Sequence, residues 1–173
     1  TPLNDYIRYP SNINLVRENL DKWVKLANEQ GWWKPIRITP TCLSILHLDT
    51  IYEYAYERNV TVESCNFLED PDYLRISILD DTLRQKAAAR LENWIDSKKE
   101  KLEKKVVNIR NPDFATQQIL QDAKSYVHYL NAQTKSTGVQ ELVAFLKLLE
   151  SNRNNSILDY LPEYEEFLRT AGY

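Results

Sequence analysis

The chain has 173 residues, 43% apolar and 27% charged, with a formal net charge of −3, which supplies the core of one ordinary domain and no dominant field. No apolar run approaches the ~20 residues of a membrane span, an export signal's order of charged, apolar and small residues is absent, and the densest charge run, Ser97 to Lys105, mixes both signs. These features predict a cytoplasmic protein with neither nucleic acid nor membrane as partner.

In chain order, Thr1 to Asn12 predicts no helix or strand of its own before a turn at Tyr9-Pro10-Ser11. Ser11 or Asn12 then caps a helix with Leu15, Val16, Leu20, Trp23, Val24 and Ala27 at helical spacing, and Gly31 lies just past its end. The β-rich run Ile36 to Thr39 predicts a short strand ended by Pro40. Leu48, Ile51, Tyr52 and Ala55 mark a second helix, closed by Arg58-Asn59, and Val60 to Cys65 a second strand. Strand, helix, strand with short linkers is a βαβ unit with parallel strands. Leu74 to Leu79 reads as a third short strand or as an extended lead into the next helix. Asp80 or Asp81 caps that helix, which carries Leu83, Ala87, Leu91, Trp94 and Ile95.

From Asn111 onward every predicted element is helical. Asn111-Pro112 caps a helix with Phe114, Leu120, Ala123, Val127 and Leu130 inward. After the polar break Gln133 to Thr137 comes a helix with Val139, Leu142, Phe145, Leu146 and Leu149, and a last short helix begins at Pro162. Two regions are therefore expected, 1–108 with the βα units and 109–173 all helical.

Cys42 and Cys65 suit neither a disulfide framework nor a CxxC pair and are expected to be reduced and buried. The three glycines, Gly31, Gly138 and Gly172, stand too far apart for GxGxxG or GxxxxGK[ST], which excludes Rossmann and Walker nucleotide sites. Methionine is absent, so the chain is expected to be a piece of a longer product or a trimmed one. Two or three strands cannot satisfy a parallel sheet, which needs cover on both faces and partners at both edges. The expected partners are a missing N-terminal half, or a second copy meeting exposed sheet edges.

The order YIRYPSN, a helix containing Glu18-Asn19-Leu20, the stretch ITPTCLSILHLDTIYEYAYERNV, then VESCNFLEDPDYLRISIL, and the tail LKLLESNRNNSILDYLPEYEEFL resembles the second half of a twitch-type radical SAM protein of the phage and marine microbial kind. The resemblance implies α/β architecture: a fragment of a partial parallel (βα)6 barrel, followed by the helical region. It implies a parent oxidoreductase-like enzyme that uses S-adenosylmethionine and a [4Fe–4S] cluster on a CxxxCxxC loop. That loop is not in this sequence, and Cys42 and Cys65 cannot replace three thiolates on one loop, so this chain alone holds no cofactor and is not catalytic. The alternative is a non-catalytic, aromatic-rich interaction module.

By the same resemblance Arg8 matches an Arg that reaches the carboxylate of S-adenosylmethionine, a task suited to a bidentate guanidinium; otherwise it is a surface residue. Thr41, Ser44 and His47 follow the first strand, where α/β proteins place ligands. Thr41 and Ser44 can bond an adenine or ribose, or cap the helix that follows; His47 can act as acid or base, or pack at its first turn. Asn66 ends the second strand, where it can bond adenosine or fix a turn. Glu69, Asp70 and Asp72 form an acidic loop that is either a divalent-ion site or solvated, and His128 is a partly exposed structural residue. Trp32, Trp33, Tyr54 and Tyr56 cluster around the βαβ unit, and outward aromatics favour contact with another surface.

Overall fold

The computed structural model describes residues 1–64, 67–99, 113–132, 134 and 136–173, and where helix caps fall within these residues they decide most boundaries. The Asn12 side chain accepts from the backbone N–H groups of Asn14 and Leu15, opening the helix Ile13–Gln30. Gly31 ends it in the left-handed conformation that glycine adopts without strain. Asp80 accepts from the Leu83 N–H at 2.8 Å and opens Asp81–Ser97. Asn59, at φ 51°, turns the chain out of Leu48–Glu57 and into the second strand.

The start of the chain differs from expectation. Leu3–Ile7 forms a five-residue helix, α1, with no capping side chain. Helices this short are not stable by propensity, so its cause is tertiary. Leu3 and Tyr6 are buried, the Tyr6 hydroxyl donates to Glu150 Oε1 at 2.9 Å, and Arg153 Nη1 donates to the Tyr6 carbonyl at 2.6 Å. Tyr173 donates to the second oxygen of the same carboxylate at 2.6 Å, and the Ile157 N–H to the first. One glutamate thus holds α1, Ile157 and Tyr173 together.

The remaining helices are α2 (Ile13–Gln30), α3 (Leu48–Glu57), α4 (Asp81–Ser97), α5 (Phe114–Ala132), α6 (Val139–Glu150) and α7 (Glu165–Arg169). Strands β1 (Pro35–Ile38) and β2 (Thr61–Ser64) pair in parallel, Pro35 opposite Thr61 and Ile38 opposite Ser64, with α3 as the crossover. The fold is mostly helical α/β: a two-stranded parallel sheet followed by helices, as the sequence predicts. Leu74 to Leu79 is no third strand; Asp72–Leu74 and Ile76–Ile78 are 3-10 turns joined by an extended Arg75. Cys65, Asn66 and the expected cap Asn111-Pro112 lie outside the described residues.

The two strands are covered unequally. Thr61 and Val62 point to opposite faces of β2 and are both buried, Thr61 beneath Trp33, whose indole N–H donates to its hydroxyl at 3.1 Å. On β1, Ile36 and Ile38 are half-buried against the core and Arg37 is exposed. Helix α5 packs along β2, α3 and α4, and the core is one cluster drawing on residues from Leu3 to Leu168. Within it Tyr52, Tyr126 and Tyr164 are fully buried, and Tyr52 donates to Asp122 at 2.6 Å. Among the described residues no helix is long and apolar enough to cross a membrane.

Candidate functional site

The loop after β1 carries Thr41, Cys42 and Ser44, with His47 just beyond, and it folds onto itself. The Thr41 N–H donates to Ser44 Oγ at 2.9 Å, the two hydroxyls lie 3.3 Å apart, and the Thr41 carbonyl accepts from the N–H groups of Ser44 and Ile45. Both hydroxyls therefore serve the turn, and Ser44 makes no side-chain cap to the helix that follows. Between them Cys42 is fully buried and free, as expected. Its N–H donates to the Leu74 carbonyl at 2.9 Å and its Sγ lies 3.7 Å from the Tyr73 carbonyl. Burial pushes the thiol far up from its ordinary range, and the side chain has no exposure to solvent.

His47 is the residue before α3 and is half-buried. Burial, then the nearby Arg90 guanidinium, lower its pKa, against Asp49 and Glu163, which raise it. A neutral imidazole at neutral pH is the result. Arg90 braces this corner, donating to the Leu46 carbonyl at 2.9 Å and lying 3.6 Å from Glu163, which Lys86 also meets at 3.5 Å. Burial pushes the Glu163 carboxyl up, but its own backbone N–H, Lys86 and Arg90 together hold it below the usual range. From the next residue, the buried Tyr164 hydroxyl donates to the Cys42 carbonyl and ties the C-terminal segment to the loop. This tie joins positions 122 apart in sequence and has no local signal.

Arg8 stands exposed at the end of α1, and among the described residues no hydrogen bond joins its guanidinium to Thr41 or Ser44. Asn66 lies outside the described residues. Among the described residues no group of three or more His, Cys, Asp or Glu side chains is placed to hold a metal ion, the Glu69–Asp72 loop included. A single enclosed Cys42 among the described residues and a self-bonded Thr41–Ser44 pair do not fit an iron–sulfur cluster or its S-adenosylmethionine. No chemical step is derived through either group.

The opposite flank is less satisfied. The apolar residues of α2 spread over roughly half of its circumference at 100° per residue, but only Val24 and Ala27 are buried. Leu15 is 55% exposed and Leu26 46%; Trp32 and Trp33, which lead into β1, are 56% and 55% exposed. Beside them, β1 has β2 on one edge, and among the described residues no backbone hydrogen bond reaches its other edge. Tyr54 and Tyr56 are already engaged within the protein. The Arg58 guanidinium lies 3.8 Å over the Tyr54 ring, Tyr56 meets Trp94 edge-on, and Lys98 sits 4.6 Å over Tyr56. Sequence periodicity finds the apolar arc of α2 but cannot tell which part of it the fold covers.

Among the described residues, cavities include the following two. One of about 450 Å³, between α2 and α3, is lined by Arg17, Asp21, Asp49, Glu53, Arg58 and Trp94 among others. Most of its charges are answered internally: Asp21 accepts from Arg58 and Tyr54, and Glu53 from Trp94 and Lys98. The other, about 280 Å³, lies at the start of α6 beside Asp80 and Phe167. Compared with known proteins, the chain matches no family model, and no curated protein and no solved structure matches it significantly.

Proposed function

We propose that this chain is a cytoplasmic docking module that does no chemistry of its own and joins a partner polypeptide through the outer shoulder of α2, Trp32, Trp33 and the open edge of β1. The observation that carries this reading is, among the described residues, an uncovered apolar helix shoulder leading straight into an unpaired strand edge. Replacing Leu15, Leu26 and Trp32 together by serine tests it, because these side chains are about half exposed and contribute little to the core. The unaltered protein should bind a hydrophobic dye saturably. The triple variant should lose that binding while keeping its far-ultraviolet circular dichroism. Equal dye binding in the two proteins would end the reading.

A second reading has one specific observation in its favour: the open edge belongs to β1, the first strand in chain order, where strands of a partial barrel would continue. Here the partner is the cluster-bearing half of a radical SAM enzyme, and S-adenosylmethionine and the [4Fe–4S] cluster are its cofactors. The test is anaerobic reconstitution with a polypeptide carrying CxxxCxxC. A broad band near ~400 nm that needs both chains supports it. A band of the same intensity without this chain, or no band at all, counts against it.

A further inference from the structure

The docking reading leaves the chemistry of the partner open, and the faces of β1 define it. Successive side chains of a strand point to opposite faces. The pairing of Arg37 with Glu63, Nε to Oε2 at 3.0 Å, places those two on one face, while Ile36 and Ile38 pack toward the core on the other. Among the described residues the outer edge has no backbone partner, and its C=O groups and, Pro35 apart, its N–H groups are of the kind an extended backbone satisfies in register. Its neighbours on one face would be isoleucines, and on the other a guanidinium whose side chain is 77% exposed with donors to spare.

Resting on that docking reading, we infer that the partner adds an extended segment of another polypeptide to β1 as a third strand, alternating apolar side chains on the Ile36 and Ile38 face with acidic side chains opposite Arg37. A second copy of this chain is a poor occupant. Between Lys34 and Ile38 the edge carries two cations and no acid, and a twofold pairing of β1 with itself sets like charges against one another. An acidic, alternating strand meets Arg37 with a cross-strand charge pair instead, in line with its existing bond to Glu63.

The probes are three end-blocked heptapeptides: valine alternating with glutamate, valine alternating with lysine, and the glutamate peptide shuffled to break alternation. Binding is followed by the amide resonances and hydrogen exchange of Ile36, Arg37 and Ile38. The glutamate peptide should protect amides of this strand and bind about tenfold more tightly than the lysine or shuffled peptide, as one or two cross-strand charge pairs predict. Arg37→Glu, at an exposed position, should reverse the order of the charged peptides. Peptide preference unchanged by Arg37→Glu overturns the inference, as does binding that protects no β1 amide. If the α2 triple variant behaves as expected while no peptide protects β1, the docking reading stands and the strand inference falls. Concentration-dependent protection of the β1 amides without any peptide identifies a second copy and also overturns it.

Discussion

Tyr164→Phe isolates the bond between the C-terminal segment and the loop after β1. The ring is fully buried, edge-on to Phe167 at 5.9 Å, and its hydroxyl donates to the Cys42 carbonyl. Phenylalanine fills nearly the same volume, so no large cavity forms, and the loss is that of a buried carbonyl deprived of this donor, about 1–3 kcal/mol. For a chain of this size, about 2–4 °C of melting temperature corresponds to each kcal/mol, so a fall of roughly 2–12 °C is expected. Urea unfolding followed by near-ultraviolet circular dichroism should show a lower midpoint with an unchanged slope. Hydrogen exchange at Cys42, whose N–H is bonded to Leu74, should quicken more than exchange within α5. Tyr160→Phe is the control: among the described residues its hydroxyl meets the Asn155 side-chain amide alone, at 3.1 Å, and its removal should change the midpoint much less. An unchanged midpoint for Tyr164→Phe would falsify the assignment of this hydroxyl as a structural tie.

Asp80→Ala removes the cap of α4 and should lower stability by about 1 kcal/mol, read as a shift in urea midpoint; no shift would mean that another group satisfies the Leu83 amide. In alkali, burial pushes Tyr54 and Tyr173 up to about 12, helped by bonds to Asp21 and Glu150, and raises Tyr6, Tyr52 and Tyr164 as well. Above pH 10 the unfolded chain loses phenolic protons that the folded chain keeps, so stability is full below pH 10 and falls as pH rises. The phenolate absorbance of the folded protein should lag that of the urea-unfolded chain, and coincident titrations would refute this. His47 has the opposite sign. Its folded pKa is depressed below 6.5, so its contribution is present above pH 6.5 and is lost as pH falls through the folded value. His47→Gln should flatten the dependence of the urea midpoint on pH just below 6.5, and an unaltered slope there would exclude this histidine as its source.

What the sequence made legible was local chemistry. Asn12, Gly31, Asn59 and Asp80 each act within a few residues of themselves, and each stands where its side chain or conformation is needed. Helix α1 escaped because its stability comes from Glu150 and Arg153, 144 and 147 positions away from Tyr6. The alternation in Leu74 to Leu79 imitated a strand because Ile76 and Ile78 are both buried, whereas Ser77 turns outward to bond Ser136 at 2.9 Å. At the loop after β1, the burial of Cys42 followed from the habits of free cysteine, but the mutual bonding of Thr41 and Ser44 depends on a turn that propensity does not specify. The uncovered shoulder of α2 was hidden for a related reason: amphipathicity says which residues avoid water, and only packing says whether the fold supplies their cover.

Because Tyr6 and Tyr173 end on the two oxygens of the Glu150 carboxylate, α1 and the last residues described are fastened to α6 like the two tongues of one buckle. Replacing Glu150 by alanine would therefore release both segments at once, with the Ile157 amide left unbonded as well.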